Sequence, residues 1–424
     1  MKVFLESIGC RLNLSEIEKI AARLRNAGYE IVGDSAGADI AIVNTCAVTS
    51  SASADSRKSI RRIANTGCEH IYVTGCYATV EPEALMNLPA VDKIFANDQK
   101  VNLPDNLIDK YQSKVNKRTG RIPLPGKKHR TRAFIKVQDG CDNHCTFCLT
   151  RVARGKSVSQ PESEVFKDVE LAIMSGVKEI VLTGVNLGSW GRDIGKNLSL
   201  PKLIHEINIR YSPKRIRLSS LEPWDIDESY FPIFENPSFC QHLHLPLQAG
   251  SDAVLIRMGR KISTRDYRKL VEKIRRSFPE MAITTDLIVG FPGESEKDFI
   301  KGIDFIREIN FSGGHVFRYS PRVGTPAERM NNFVHESVKK NRSRKIRQVI
   351  SDSEYGYKQK FINKKVAVLW EKITKVEGGK YSMVGLTGNY LRVGAQAQEN
   401  LQNKISNVHL YKIETSFLSG EIIK

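Results

Sequence analysis

The chain reads as an α/β protein in three parts: an N-terminal parallel-sheet domain, a central open (β/α)6 barrel and a small C-terminal β-barrel. Three observations predict this. Strand and helix signals alternate over the first ~110 residues. Six further strand–helix units follow from Ala133. The last ~60 residues change to short alternating runs separated by glycine turns. At 424 residues, two or three domains are expected. We place them at 1–112, 131–360 and 361–424, with a linker at 113–130.

In the first part, Val3–Ser7 reads as a strand. Ile17, Ile20, Ala21, Leu24 and Ala27 recur at helical spacing from Ser15, and Gly28 ends that helix. Ile40–Val43 and Ile71–Val73 read as buried strands. Cys10, Cys46 and Cys76 each lie just beyond the carboxyl end of one of these strands. In an open parallel sheet those ends share one edge, where ligands collect. The three distant cysteines are therefore predicted to converge. Cys68 precedes its strand and reads as structural; Cys240 reads as a small apolar packing residue.

Residues around 112–132 are polar, basic and broken by Pro123 and Pro125, as a linker would be. Barrel strands are predicted at Ala133–Val137, Glu179–Thr183, Arg215–Ser219, His242–Leu245, Ile283–Ile288 and His315–Tyr319. Helical segments include Ser163–Met174, Arg265–Ser277 and Glu296–Ile309. Chemistry in such barrels sits on loops after the strands. Those loops offer Thr183 and Gly184, Ser220 and Glu222, Gln248 and Asp252, then Val289 and Gly290. Glycines permit close backbone approach, and a carboxylate can bind ribose hydroxyls or an ammonium, so a cofactor cradle is expected. Val338–Ile362 is charged and helical. Val366–Trp370, Tyr381–Val384, Tyr390–Val393 and Val408–Ile413 should build the final barrel, suited to RNA or to a structural cap.

The loop after the first barrel strand carries Cys141, Cys145 and Cys148, spaced C-x3-C-x2-C, with no fourth cysteine nearby. Iron–sulfur clusters usually take four cysteines. Three thiolates leave one iron of a cubane open to a substrate or cofactor. A structural zinc site would want a fourth ligand, for which His144 is the neighbour. Disulfides are disfavoured, since eight cysteines is ordinary usage and nothing marks the chain as secreted. No apolar run reaches membrane-spanning length, and a cytoplasmic location is expected.

The formal charge is +18, from 65 Lys+Arg against 47 Asp+Glu, which favours a polyanionic partner. Two runs concentrate it. One holds Lys114, Lys117, Arg118, Arg121, Lys127, Lys128, Arg130 and Arg132. The other holds Lys339, Lys340, Arg342, Arg344, Lys345 and Arg347. Phosphate contact by both is the expectation.

The cysteine loop, with Phe147 before its last cysteine, resembles the signature of the radical S-adenosylmethionine (SAM) enzymes. The order of three strand-end cysteines, linker, cysteine loop on a partial barrel and final β-barrel resembles the methylthiotransferases of that superfamily. The final part is similar to a TRAM domain, best over 384–393. Leu-Thr-Gly-Val-Asn-Leu-Gly-Ser-Trp-Gly (182–191), Ser-Ser-Leu-Glu-Pro (219–223) and the stretches at 242–252 and 315–327 resemble the MtaB branch. The resemblance implies methylthiolation at C2 of N6-threonylcarbamoyladenosine-37 in the tRNA anticodon arm. It implies two [4Fe–4S] clusters, one on Cys10, Cys46 and Cys76 and one on Cys141, Cys145 and Cys148. One SAM would methylate sulfur at the first, and a second would yield a 5′-deoxyadenosyl radical at the other. A reductant such as flavodoxin or ferredoxin and a monomer are further implied; no sulfur donor is. Isopentenyladenosine-37 or a ribosomal-protein aspartate are alternative substrates. A non-catalytic iron–sulfur or zinc RNA-binding protein is the alternative of another class. The chain departs from the family pattern at Arg151, at Ser159-Gln160 and at Ala249.

Overall fold

A computed structural model describes residues 1–111 and 131–423. The predicted linker, and the first basic run except Arg132, lie outside the described residues. Contacts group the chain into two compact units. One comprises Met1–Asn143, Cys148–Gly176 and Thr183–Asn186; the other comprises His144–Phe147, Val177–Leu182 and Leu187–Lys424.

The first unit begins with β1 (Lys2–Ser7), α1 (Arg11–Asn26), β2 (Glu30–Val32), β3 (Ile40–Thr45), α2 (Ser50–Ala64) and β4 (His70–Gly75). It continues with α3 (Cys76–Val80), α4 (Pro82–Met86), β5 (Val91–Phe95) and α5 (Leu103–Tyr111). The five strands form one parallel sheet in the order β2-β1-β3-β4-β5. β3 is buried along its whole length, as its continuous apolar run requires of an interior parallel strand. Two edge strands, β2 and β5, escape the sequence reading because they are short and largely solvated. The helix α2 escapes it because its buried stripe includes Ser53 and Ser56 beside Ile60 and Ile63.

Next come β6 (Arg132–Lys136), β7 (Gln138–Asp139), α6 (Thr150–Arg154), β8 (Val158–Ser159) and α7 (Glu162–Met174). Val137 donates its N–H to the Thr183 carbonyl, at the end of β9 (Glu179–Thr183).

In the second unit, α8 (Leu200–Tyr211), β10 (Ile216–Leu218), α9 (Phe231–Glu235), β11 (His242–His244), α10 (Asp252–Arg257) and α11 (Thr264–Ser277) lead to β12 (Ala282–Val289), α12 (Glu296–Ile309) and β13 (Gly313–Arg318). β9 pairs with β10, β11 with β12 and β12 with β13, all parallel. Parallel bridges Ser220–His244 and Ile216–Phe239 join β10 to the β11 side. The sequential order of an open parallel barrel results.

The helix α13 (Glu336–Gln359) precedes β14 (Lys365–Glu377), β15 (Lys380–Thr387), β16 (Arg392–Ala397), β17 (Ile405–Ile413) and β18 (Leu418–Ile422). These close a barrel in the order β14-β15-β16-β18-β17 around Trp370, Met383, Val393, Val408 and Leu410. β18 was not expected, and it closes the ring by pairing with both β16 and β17. The expected start of β16 at Tyr390 is corrected. Tyr390 turns at φ +69° and stacks on His242 at 4.3 Å.

Two buried arginines tie this barrel to the strands before it. Arg215 donates to the carbonyls of Leu386 and Ala367. Arg217 donates to Thr387 and Gly388, and pairs with Glu179 at 2.7 Å; both side chains are 0% exposed. Cys240 lies against the same carboxylate at 3.7 Å. Burial pushes its thiol up to about 12. It is thus buried as expected, but in a charged cluster rather than an apolar one.

Candidate iron–sulfur and cofactor site

The three strand ends of the first unit bring Cys10, Cys46 and Cys76 into one neighbourhood. Cys10 caps α1, Cys46 follows β3, and Cys76 opens α3 after β4. Two glycines make the approach possible. Gly9 has φ +92°, and a Cβ on it would stand 2.5 Å from the Cys46 sulfur. Gly75 has φ +103°, and a Cβ there would stand 2.3 Å from the Thr45 carbonyl oxygen. Side chains tolerate neither position.

Cys10 is exposed at its strand end, yet the protein packed around the sulfur raises its thiol; Arg154 opposes this and the charge of Cys76 adds to it. Burial pushes Cys46 up to about 11, with Cys10 and Cys76 acting in the same direction. Among the described residues, no group of three or more His, Cys, Asp or Glu side chains stands in assembled metal-binding geometry. The sulfurs instead hold protein partners. The Cys10 thiol faces the Asn13 carbonyl oxygen at 3.6 Å, and the Asn97 amide donates to the Cys76 sulfur at 3.7 Å. A soft trio of this kind suits iron–sulfur ligation: metal binding deprotonates the thiols and overcomes the raised pKa values of Cys10 and Cys46.

Asn13 also donates to the carbonyls of Ile8 and Thr45, stitching the Cys10 and Cys46 strand ends together. Its oxygen accepts from Arg154 at 2.6 Å. Arg154, 2% exposed, also meets Glu16 and Asp139, each at 2.9 Å. Lys100 and Lys136 complete the cluster on Glu16, at 2.5 and 3.0 Å. These polar residues were missed in sequence. The available signals were Asn13 one turn after Cys10 and the Arg154-Gly155 step after Cys148.

Beside this network lies a cavity of about 560 Å³. Its lining includes Thr79, Asn97, Lys136, Arg154, Lys156 and Gln160.

The second triplet follows β6. Asn143 donates its N–H to the Cys141 sulfur at 3.4 Å. In the second unit, Arg260 reaches the Cys145 sulfur at 3.6 Å. Thr146 is pinned through its N–H to Met258 and its hydroxyl to Arg257, and Phe147 packs edge-on against Phe291. Gly259 lies where a Cβ would meet the His144 carbonyl oxygen at 2.7 Å.

The residues expected to cradle a cofactor lie at strand ends as follows. Thr183 is buried, and a Cβ on Gly184 would meet the Gln138 amide oxygen at 2.9 Å. Ser220 forms the bridge to His244. Both Glu222 carboxylate oxygens accept from Arg260, whose guanidinium lies 4.5 Å over the Trp224 ring. Gln248 turns at φ +73° and bonds through its backbone to Asp286 and Ile288. Val289 is fully buried. Gly290 donates its N–H to Glu294, and a Cβ on it would meet Lys339 at 2.3 Å.

The second basic run is only partly available to a ligand. Lys339 and Arg342 are buried, Arg342 on Glu294 and Glu296, whereas Lys340, Arg344 and Lys345 are exposed. Arg347 is exposed as well, yet donates to the Val316 carbonyl.

A profile described as uncharacterized protein family UPF0004 matches residues 2–96, and one described as radical SAM superfamily matches residues 135–306. The chain is 38% identical to the threonylcarbamoyladenosine tRNA methylthiotransferase MtaB of Thermotoga maritima, over 99% of this chain and 96% of the relative. It is 34% identical to MtaB of Bacillus subtilis, over 100% and 96%. It is 33% identical to the tRNA-2-methylthio-N(6)-dimethylallyladenosine synthase of Clostridium tetani, over 99% and 95%. Among solved structures, the radical SAM methyltransferase TsrM of Kitasatospora setae superposes with TM-score 0.59 at 14% identity, covering 77% of this chain and 75% of that one. That likeness shows the fold alone. The chain belongs to the radical SAM tRNA methylthiotransferases.

Proposed function

We propose that the protein adds a methylthio group to C2 of N6-threonylcarbamoyladenosine at position 37 of tRNA, using two SAM and two [4Fe–4S] clusters. Cys10, Cys46 and Cys76 would hold one cluster, and Cys141, Cys145 and Cys148 the other. When bound, the clusters and SAM supply one-electron cleavage of a sulfonium and a sulfur atom for transfer, which side-chain acids and bases cannot provide at an aromatic C–H.

The chain's own residues prepare the two loops. Arg260 holds the Glu222 carboxylate and offers an N–H to Cys145. We assign SAM contacts to Thr183, Gly184, Ser220, Glu222, Gln248, Val289 and Gly290. A carboxylate at Glu222 suits the cofactor's ammonium or ribose. Asn13 and Asn97 hold the strand ends that carry the first triplet.

The observation that carries the choice of substrate is the cavity next to Asn97, where the cations Lys136, Arg154 and Lys156 outnumber the carboxylates Asp98 and Asp139. Lys156 lines it, is exposed and makes no ion pair among the described residues. A threonylcarbamoyl group brings a carboxylate that such a cation can pair with, whereas a dimethylallyl group brings none. A single-stranded anticodon loop lets the base leave its stack at modest cost. An electron donor such as flavodoxin or ferredoxin, a monomeric state and a cytoplasmic setting belong to the same reading. No helix among the described residues is long and apolar enough to cross a membrane.

The test is anaerobic turnover with SAM and dithionite on two tRNAs, one carrying threonylcarbamoyladenosine-37 and one carrying dimethylallyladenosine-37. Nucleoside mass spectrometry should find the methylthio product on the first. Product on the second alone would transfer the assignment to the dimethylallyl substrate, and product on neither would overturn the reading.

A further inference from the structure

The polar network around Arg154 is costly unless it answers a charge. It formally holds three cations, Lys100, Lys136 and Arg154, against two carboxylates, Glu16 and Asp139. One positive charge is left over at a buried site, and buried charges are ordinarily paired. A cubane core carrying two positive charges on three thiolates is left with one negative charge. The surplus of the network and the charge of such a cluster are equal and opposite.

The connections run through two amides. Arg154 donates to the Asn13 oxygen, which faces the Cys10 sulfur. Asn97 donates to the Cys76 sulfur and, at 2.7 Å, to the carbonyl of Ala153, the residue before Arg154. Each amide thus links the N-terminal triplet to α6 through a single atom, the Asn13 oxygen and the Asn97 nitrogen; α6 begins two residues after Cys148. A thiolate ligand at Cys10 cannot donate, and the Asn13 oxygen would then keep Arg154 as its donor. Arg154 is itself held charged: burial draws it down, but Glu16, Cys76, Asp139 and Cys10 outweigh that.

We propose that Arg154 is the counter-charge of an iron–sulfur cluster on Cys10, Cys46 and Cys76, and that Arg154 and Asn97 are positioning residues that raise its reduction potential. This rests on the reading that the N-terminal triplet holds a cluster. Reduction adds one electron and one negative charge to the cluster, with no proton required. A nearby cation and N–H donors to sulfur both favour the reduced form.

The test uses the full chain with Cys141, Cys145 and Cys148 all changed to Ala, reconstituted with iron and sulfide. Only the N-terminal cluster can then assemble. Its potential is read by electron paramagnetic resonance during a mediated dithionite titration. Adding Arg154→Gln should lower the reduced-to-oxidised ratio at fixed potential at least tenfold, about 59 mV for one electron. Arg154→Lys should stay within about threefold of its parent, because it keeps the charge. Asn97→Leu leaves the ion network intact, so it covers the case in which Arg154→Gln does not fold. It should shift the ratio in the same direction. Unchanged potentials in Asn97→Leu and in a folded, iron-loaded Arg154→Gln would overturn the proposal. Absence of iron and sulfide from the triple-alanine parent would instead overturn the underlying reading, and the proposal with it.

Discussion

Replacing Glu222 and Arg260 singly and together tests whether this pair holds the cofactor-side loop of the barrel. The Arg260 side chain is 1% exposed; that of Glu222 is 18% exposed. Arg260 donates to both Glu222 oxygens, at 3.2 and 2.7 Å, and to the Pro246 carbonyl at 2.5 Å. Removing one partner of a buried pair costs about 3–5 kcal/mol, because the other charge stays behind unpaired. The exposures predict an order. Glu222→Leu strands a guanidinium with almost no access to water and should cost near ~5 kcal/mol. Arg260→Met strands a carboxylate that can still recruit water and should cost near ~3 kcal/mol. The double variant strands neither, so its cost should fall short of the sum by roughly 2–3 kcal/mol. Urea unfolding of the iron-free protein, followed by tryptophan fluorescence, measures all three, and Trp224 reports from within the contact. Costs that add to within about 0.5 kcal/mol would refute the argument, as would a larger loss for Arg260→Met than for Glu222→Leu.

Cys46→Ala should retain on the order of half the iron and sulfide and still cleave SAM, while the methylthio product disappears; iron analysis and 5′-deoxyadenosine assay read the two outcomes. Lys156→Ala should raise KM for threonylcarbamoyl-bearing tRNA roughly tenfold, as expected for about 1.5 kcal/mol from one charge-assisted hydrogen bond, with kcat unchanged. Arg217→Met leaves the fully buried Glu179 carboxylate with only the longer Arg215 contact at 3.8 Å and should cost about 3 kcal/mol; limited proteolysis should then attack the C-terminal barrel sooner. Glu16 gives a pH signature. Burial pushes its carboxyl up, but Lys100, Arg154 and Lys136 outweigh this and hold it well below the usual carboxylate range. A depressed native pKa stabilises the fold above the unfolded value of about 4.3. That stability is lost as pH falls through the native value. Urea midpoints of wild type and Glu16→Gln should therefore differ at neutral pH and converge in strong acid.

Legibility in the sequence followed the physical signal. Apolar runs located the strands of the central barrel, because a buried parallel strand such as Glu179–Thr183 carries an apolar centre, here Ile180, Val181 and Leu182. The strand ends followed, and with them the placing of Cys10, Cys46 and Cys76 just after three of them. Short solvated edge strands such as Glu30–Val32 carry no such run and were invisible. The closing strand Leu418–Ile422 lies in a stretch with Ser419, Gly420 and Glu421 and reads as a tail. Least legible was the polar interior. Asn13, Glu16, Lys100, Lys136 and Arg154 are scattered over more than a hundred residues, and beyond the nearness of Asn13 and Arg154 to cysteines nothing local marks them as buried. Only tertiary assembly makes them neighbours.

The same partition changes what the net charge means. A surplus of +18 suggests a cationic surface, and the runs of Lys and Arg suggest where it lies. Yet Lys100, Arg154, Arg215, Arg217, Arg260, Lys339 and Arg342 all point inward and are engaged with carboxylates or carbonyls. Such residues contribute to the count without being available to phosphates. Glu16, Glu179 and Glu294 are buried with them, so the interior removes both signs. The ligand-facing charge must therefore come from cations left in solvent, of which Lys340, Arg344 and Lys345 on α13 form one set. Counterion release scales with the phosphates neutralised rather than with total basic residues. A basic run on a helix therefore divides by helical phase: positions facing the core become internal counter-charges, and only the opposite face remains for nucleic acid.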